Sequence, residues 1–130
     1  MMKFMPGEKG FTLVEIIAVL IILSVLASVA IPRYISLDES ARQRAIDAGI
    51  ADLNGREILT WSNIKINNTG YEDDAALFLI LNTTLGNDYT WVDGPRIDGG
   101  TLSFKASTAV PLTRIESNDI QPGSWSRPPP

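Results

Sequence analysis

The chain has 130 residues, which is enough for one small globular domain. Its net charge is -4, whereas a nucleic-acid-binding protein would usually carry a basic patch. It contains no cysteine and no histidine. A stabilising disulfide is therefore excluded, and the commonest general base and metal ligand are missing. Composition thus argues against an enzyme and against a nucleic-acid partner, and it leaves structural and binding roles open.

A long apolar segment lies near the N-terminus. The stretch 11–32 contains a single charged side chain, Glu15. As a helix it would be about 33 Å long, close to the thickness of the hydrocarbon core of a bilayer. The preceding residues 1–10 include Lys3 and Lys9, which favour a cytoplasmic N-terminus.

Three interpretations of this segment are open from the residues alone. It is a secretory signal peptide if the chain is cut near 27–30, where small residues occur. It is otherwise a plain single-pass anchor, or a segment that lies first in a membrane and later in the core of a filament. Glu15 helps to distinguish these interpretations, because an ionised carboxylate in lipid is energetically costly and needs an explanation. It either extends to the polar membrane surface or pairs with an amino group, which a cut between Gly10 and Phe11 would create.

The string G-F-T-L-V-E over residues 10–15, at the head of such an apolar run, resembles the N-terminal signal of type IV pilins and of type II secretion pseudopilins. The resemblance implies that a prepilin peptidase cuts after Gly10 and that Phe11 becomes the N-methylated mature N-terminus. It implies that Glu15 is the assembly glutamate, paired with the amino group of Phe11. It also implies that Pro32 kinks the helix.

The resemblance further implies partners and a location. Copies of the chain would assemble with one another or with related subunits. They would depend on the prepilin peptidase and methylase, an inner-membrane assembly platform and a cytoplasmic assembly ATPase. The precursor would be a single-pass protein in contact with inner-membrane lipid, and the assembled form would be a surface pilus for adhesion or motility.

Two alternatives to a surface pilus are kept. The first is a periplasmic pseudopilus that acts in type II protein export. The residues from Pro32 to Arg42 are similar to mannose-sensitive haemagglutinin-type pilins, which favours the surface pilus over this alternative. The second, from a different class, is a membrane-anchored or secreted binding module.

The helix is expected to continue beyond Pro32. The S-x-x-E pattern at 36–39 offers a place to restart after a break, but the resemblance favours one continuous, kinked helix. An apolar stripe at helical spacing predicts the face that packs on the rest of the chain. The stripe consists of Ala45, Ile46, Gly49, Ile50 and Leu53. The helix should end at 61–65, before a turn signal at 67–70.

The remainder predicts a short helix and a small sheet. Acidic residues at 72–74 ahead of the apolar run 75–81 favour a helix over a buried strand. The segments 88–92, 101–105 and 111–116 predict about three antiparallel strands. The fold class is therefore α+β, with a long hydrophobic helix kinked near Pro32 packed on a C-terminal sheet, as in type IV pilins.

These predictions divide the chain into five segments. They are a cleaved leader at 1–10, a transmembrane or filament-core helix at 11–32, its amphipathic continuation at 33–66, a globular head at 67–120 and a Pro-rich, extended or disordered tail at 121–130.

Without cysteine, the head must be held by aromatic packing, by lattice contacts or by an ion. The predicted core aromatics are Trp61, Phe78, Trp91 and Phe104. No cofactor and no metal site are predicted. Calcium stays open as a possibility, because it takes oxygen ligands from loops, although turns favour aspartate in any case. The aspartates in question are Asp88, Asp93, Asp98 and Asp119.

Overall fold

The computed structural model describes residue 10 and residues 12–129. Within them, helix α1 spans Leu13–Ile66 and helix α2 spans Asp74–Ile80. The strands are β1 at Tyr89–Arg96, β2 at Gly99–Phe104, β3 at Val110–Ile115 and β4 at Ser124–Ser126. The chain divides after Asp38 into two compact units. The predicted head at 67–120 lies within the second unit, residues 39–130, and below the name head refers to this whole unit.

Helix α1 is continuous through Pro32, and it does not restart at the S-x-x-E pattern of 36–39. The continuous helix of the prediction is therefore confirmed. A proline removes only one backbone donor from the helix, and the hydrogen bonds on either side maintain it. The helix ends at Ile66, one residue beyond the predicted range, in a turn where the Gly70 backbone N–H donates to the Asn67 carbonyl over 3.0 Å.

Helix α2 confirms the prediction of a helix rather than a strand. Its N-cap is Asp73, whose side chain accepts a hydrogen bond of 2.8 Å from the Ala76 backbone N–H. Such a cap satisfies a donor that the helix itself leaves free. The acidic residues ahead of the apolar run therefore form the N-terminal end of the helix. Within it, Leu77 packs in the core and is fully buried.

The described sheet has four strands in the order β1-β2-β3-β4, and each pair is antiparallel. The three predicted strands correspond to β1, β2 and β3. The fourth, β4, corrects the expected count, and it lies in the segment that was expected to be a tail. Trp125, at its centre, is only 2% exposed.

The sequence did not predict strand β4, because the contacts that stabilise it come from residues distant in the chain. Three residues are too few to show an alternating pattern, and the flanking prolines argue against a strand. The strand is held between two neighbours. On one side, Arg114 of β3 pairs with Trp125 in register. On the other, the Asn54 amide of α1 accepts from the Trp125 N–H at 2.6 Å and donates to its carbonyl at 3.0 Å.

The core lies between the head half of α1 and the sheet. Of the predicted stripe, Ile46, Gly49 and Leu53 are buried. Gly49 permits close approach, because a Cβ there would lie 2.9 Å from a ring carbon of Tyr89. The four predicted aromatics are half-buried and pack against the buried cluster. That cluster contains Ile46, Leu53, Leu77, Leu81, Leu102, Val110, Leu112 and Trp125.

A buried ion cluster joins both helices to the sheet. The Arg114 guanidinium donates through Nε and Nη2 to the Glu57 carboxylate, and its Nη1 and Nη2 donate to the two Asp74 oxygens at 2.7 and 2.8 Å. Nη1 also donates to the Ile97 carbonyl at 3.0 Å. Every N–H of the guanidinium therefore has an acceptor.

The carboxylates of Glu57 and Asp74 also accept hydrogen bonds from groups other than Arg114. The Trp125 indole N–H donates to Glu57 at 2.9 Å. The Ser117 backbone N–H and hydroxyl donate to Asp74 at 2.8 and 2.6 Å. Among the described residues, no buried side-chain nitrogen or oxygen lacks a partner. A satisfied cluster of this kind is costly to break, because removing one member leaves a buried charge unpaired.

The Asp74 carboxyl makes head stability depend on pH. Burial would raise its pKa, but hydrogen bonds from Arg114 and Ser117 outweigh burial and hold the pKa below the ordinary value of 3.8. A carboxyl with a lowered pKa stabilises the fold above its unfolded-state pKa, and this stability is lost as pH falls through the folded-state value. Asp74→Asn should therefore lower the Tm of the detergent-solubilised chain at pH 7, and this loss of Tm should become smaller as the pH falls below 3.8. A loss of Tm in Asp74→Asn that stays constant from pH 7 to acid would contradict this assignment.

Candidate functional site

Helix α1 begins with a cap that places Glu15 in its first turn. The Glu15 backbone N–H donates to the Thr12 hydroxyl at 3.1 Å, and the Ile16 N–H donates to the Thr12 carbonyl at 3.2 Å. The spacing T-x-x-E is that of a capping box, a signal present in the sequence but not used in the predictions. An acidic residue is favourable here, because the N-terminal end of a helix carries partial positive charge.

The predicted cleavage position lies just ahead of this helix. Gly10 is exposed, and a Cβ added to it would meet no atom within 4 Å. Phe11 lies outside the described residues, and so do residues 1–9 of the predicted leader. The structure therefore places Gly10 and Glu15, and the predicted pairing between the Phe11 amino group and Glu15 stays a prediction.

The segment that follows Glu15 is apolar and uncovered. Helix α1 is long and apolar enough to cross a membrane, with a mean hydropathy of 2.8 over an 18-residue window, none of it buried. Its large side chains from Leu13 to Ile31 are between 44% and 75% exposed. Burying one such side chain is worth roughly 1.5–3 kcal/mol, so a surface of this size requires lipid or protein around it.

Two hydroxyls in this segment are satisfied within the helix. Ser24 donates to the Leu20 carbonyl at 2.6 Å, and Ser28 donates to the Val25 carbonyl at 2.7 Å. Such bonds remove the need for a partner outside the helix. The segment therefore presents an apolar surface whose polar groups are satisfied, which suits a bilayer or a protein core.

Three of the four aspartates considered for calcium form ion pairs with basic side chains. Asp93 and Asp98 pair with Arg96 over 2.6 and 3.6 Å, and Asp119 pairs with Lys65 at 2.7 Å. The described part of the chain contains no group of three or more histidine, cysteine or acidic residues that could hold a metal ion.

Comparison with known proteins identifies one matching family and two similar pilus components. The family described as "Prokaryotic N-terminal methylation motif" matches residues 5–31. The type IV narrow pilus major component PilA5 of Thermus thermophilus is 42% identical over 43 residues, 33% of this chain and 37% of that protein. The type IV wide pilus major component PilA4 of the same organism is 29% identical over 135 residues, 87% of this chain and 98% of that protein. No solved structure matches the chain.

The chain therefore carries the methylation signal of type IV pilins and is similar in sequence to two of them. Its long apolar helix and antiparallel sheet give a pilin-like α+β fold. Both relatives are described as major components of type IV pili, so the similarities indicate a structural protein and not an enzyme.

Proposed function

We propose that this chain is the subunit of a type IV pilus-like surface filament, stored in the inner membrane, cut after Gly10 and polymerised through its N-terminal helix. One observation carries the proposal. The apolar part of α1 is wholly uncovered and has a single carboxylate, Glu15, in its first turn, within the stretch that matches the methylation motif. Lipid covers this surface before assembly, and other subunits cover it afterwards.

Cleavage supplies the partner of Glu15. The cut creates an α-amino group on Phe11, and N-methylation by the same peptidase keeps its positive charge. A positive group at a helix N-terminus opposes the helix dipole, and a nearby carboxylate offsets this effect. In an apolar core, leaving either charge unpaired is costly, so an amino group of one subunit pairs with Glu15 of a neighbour and fixes the register.

Assembly gains little from the hydrophobic effect, because lipid is as apolar as the filament core. Close helix packing and the charge pair must therefore supply specificity. Extraction of the helix from lipid requires work, which a cytoplasmic ATPase acting through an inner-membrane platform provides.

The surface pilus is preferred to a periplasmic pseudopilus. Both curated relatives are major components of type IV pili, and we infer the same role here. Deleting the gene separates the alternatives. Loss of surface filaments supports the pilus, whereas loss of protein secretion with filaments intact supports the pseudopilus.

The N-terminus of the protein in sheared surface filaments tests the proposal. Mass spectrometry should find this chain as an abundant component that begins at Phe11 with one added methyl group. A Gly10→Val variant should remain uncut in the membrane fraction, since a larger side chain obstructs the peptidase. An intact Met1 terminus in wild type, a cut near Ala30, or absence of the chain from the filaments would overturn the proposal.

A further inference from the structure

The apolar segment of α1 ends at an arginine whose donors are not used within the described chain. Arg33 is the first charged residue after Glu15, and its side chain is exposed. Among the residues that the structure describes, its guanidinium meets no carboxylate. In the head, by contrast, Arg56, Arg96 and Arg127 each pair with an aspartate. The N–H groups of the Arg33 guanidinium are therefore available to a ligand.

The spacing of charges along α1 places Arg33 at the surface of a bilayer. From Glu15 to Arg33 the helix rises about 27 Å, close to the hydrocarbon thickness of about 30 Å. With Glu15 near the polar surface of one leaflet, Arg33 lies at the headgroup level of the other. Tyr34 follows directly and is 73% exposed. Tyrosine is typical of this interface, because its ring is apolar and its hydroxyl is polar.

The next turn of the helix adds a second donor beside Arg33. Arg33 and Ser36 lie three residues apart and therefore share one face of the helix. Together with Leu37 they line an open surface cavity of about 240 Å³. The Ser36 hydroxyl forms no hydrogen bond within the described part of the chain, whereas Ser24 and Ser28 each donate to a backbone carbonyl. Both polar side chains of the cavity can therefore donate to the same acceptor.

We propose that Arg33 and Ser36 bind the phosphate of a phospholipid in the outer leaflet of the inner membrane, with Tyr34 beside it at the headgroup level. The inference rests on the proposed function, because it concerns the form of the chain that is stored in lipid. A planar guanidinium matches a phosphate through two parallel hydrogen bonds, and the hydroxyl supplies a third.

The surroundings of the site favour a lipid phosphate over a dissolved one. Ile31 and Ile35 flank Arg33 in the sequence and are 58% and 62% exposed. A lipid brings its phosphate and its acyl chains to such a surface together, whereas a dissolved phosphate leaves the apolar side chains uncovered. The contact fixes the depth at which the helix is stored, and it is broken when the subunit leaves the membrane for the filament.

Native mass spectrometry of the full chain, purified from membranes in detergent, tests the site. Wild type should retain added phosphatidylglycerol but not diacylglycerol, which lacks the phosphate. Arg33→Gln should reduce the fraction with bound phosphatidylglycerol about tenfold, as expected when charge-assisted hydrogen bonds are lost, and Ser36→Ala should reduce it by a smaller factor. The control Arg44→Gln removes an exposed arginine of the same helix within the head and should bind the lipid as wild type does.

Three results would overturn the inference. Equal lipid retention by wild type and Arg33→Gln would show that this arginine does not hold the phosphate. Equal losses in Arg33→Gln and Arg44→Gln would show that only net charge matters. Displacement of the lipid by millimolar inorganic phosphate would assign the site to a dissolved anion. A wild-type chain that is absent from the membrane fraction would instead contradict the proposed function itself.

Discussion

Replacing Glu15 with alanine should leave membrane insertion intact and nearly abolish filaments. Removing a carboxylate from an apolar helix does not disfavour its insertion into lipid. In the filament, however, the Phe11 amino group of the neighbouring subunit would lose its partner in an apolar core. Breaking a buried ion pair costs about 3–5 kcal/mol, which corresponds to a loss of more than about 100-fold in the affinity of subunit addition. Fractionation and filament counts by electron microscopy measure the two effects.

Two further variants distinguish the loss of the Glu15 charge from the general effect of removing a carboxylate from α1. Glu15→Gln keeps the size of the side chain and removes its charge, so it should fail as Glu15→Ala does. Glu39→Ala removes a carboxylate from the same helix in a position where its side chain accepts a hydrogen bond of 3.0 Å from Gln43. It should assemble normally. Wild-type filament numbers from Glu15→Ala would refute the pairing.

Replacing Arg114 with leucine should destabilise the head by about 3–5 kcal/mol, because Glu57 and Asp74 would be left buried without a cation. The Arg114 and Glu57 side chains are fully buried, and that of Asp74 is 6% exposed. For a domain of this size the loss corresponds to a fall in Tm of more than about 10 °C. Circular dichroism on the detergent-solubilised full chain measures it.

Arg96→Ala provides the matched control for the buried cluster. Arg96 is also an arginine on a strand, and it pairs with Asp93 at 2.6 Å, but its side chain is 53% exposed. Exposed ion pairs contribute little to stability, so this variant should unfold close to the wild-type temperature. Equal Tm values for Arg114→Leu and Arg96→Ala would show that the buried cluster does not stabilise the head.

The buried ion cluster takes the place that a disulfide could have had in the head. A chain without cysteine needs another way to connect its C-terminal segment to the rest of the head. Arg114 connects α1 and α2 to the sheet, and Trp125 connects the last strand to Glu57. Outside the cluster, Arg127 donates to Asp47 at 2.7 Å and extends the attachment along α1. Side-chain hydrogen bonds thus fasten the end of the chain to the long helix.

The sequence by itself determined the long helix, the short helix and three strands. Each of these depends on residues that are neighbours along the chain, such as the apolar run after Glu15 or the acidic residues ahead of α2. Local patterns report local structure, because helix and strand periods act over a few residues. The start of α1 is of this kind as well, since Thr12 and Glu15 lie three residues apart.

Only the tertiary structure decided the buried cluster and the fourth strand. Glu57, Asp74 and Arg114 are distant in sequence, and composition does not indicate which of many charges meet in the core. Strand β4 exists because Asn54 and β3 hold Trp125. Long-range pairing is set by packing of the whole chain, and this is why no local pattern could report it.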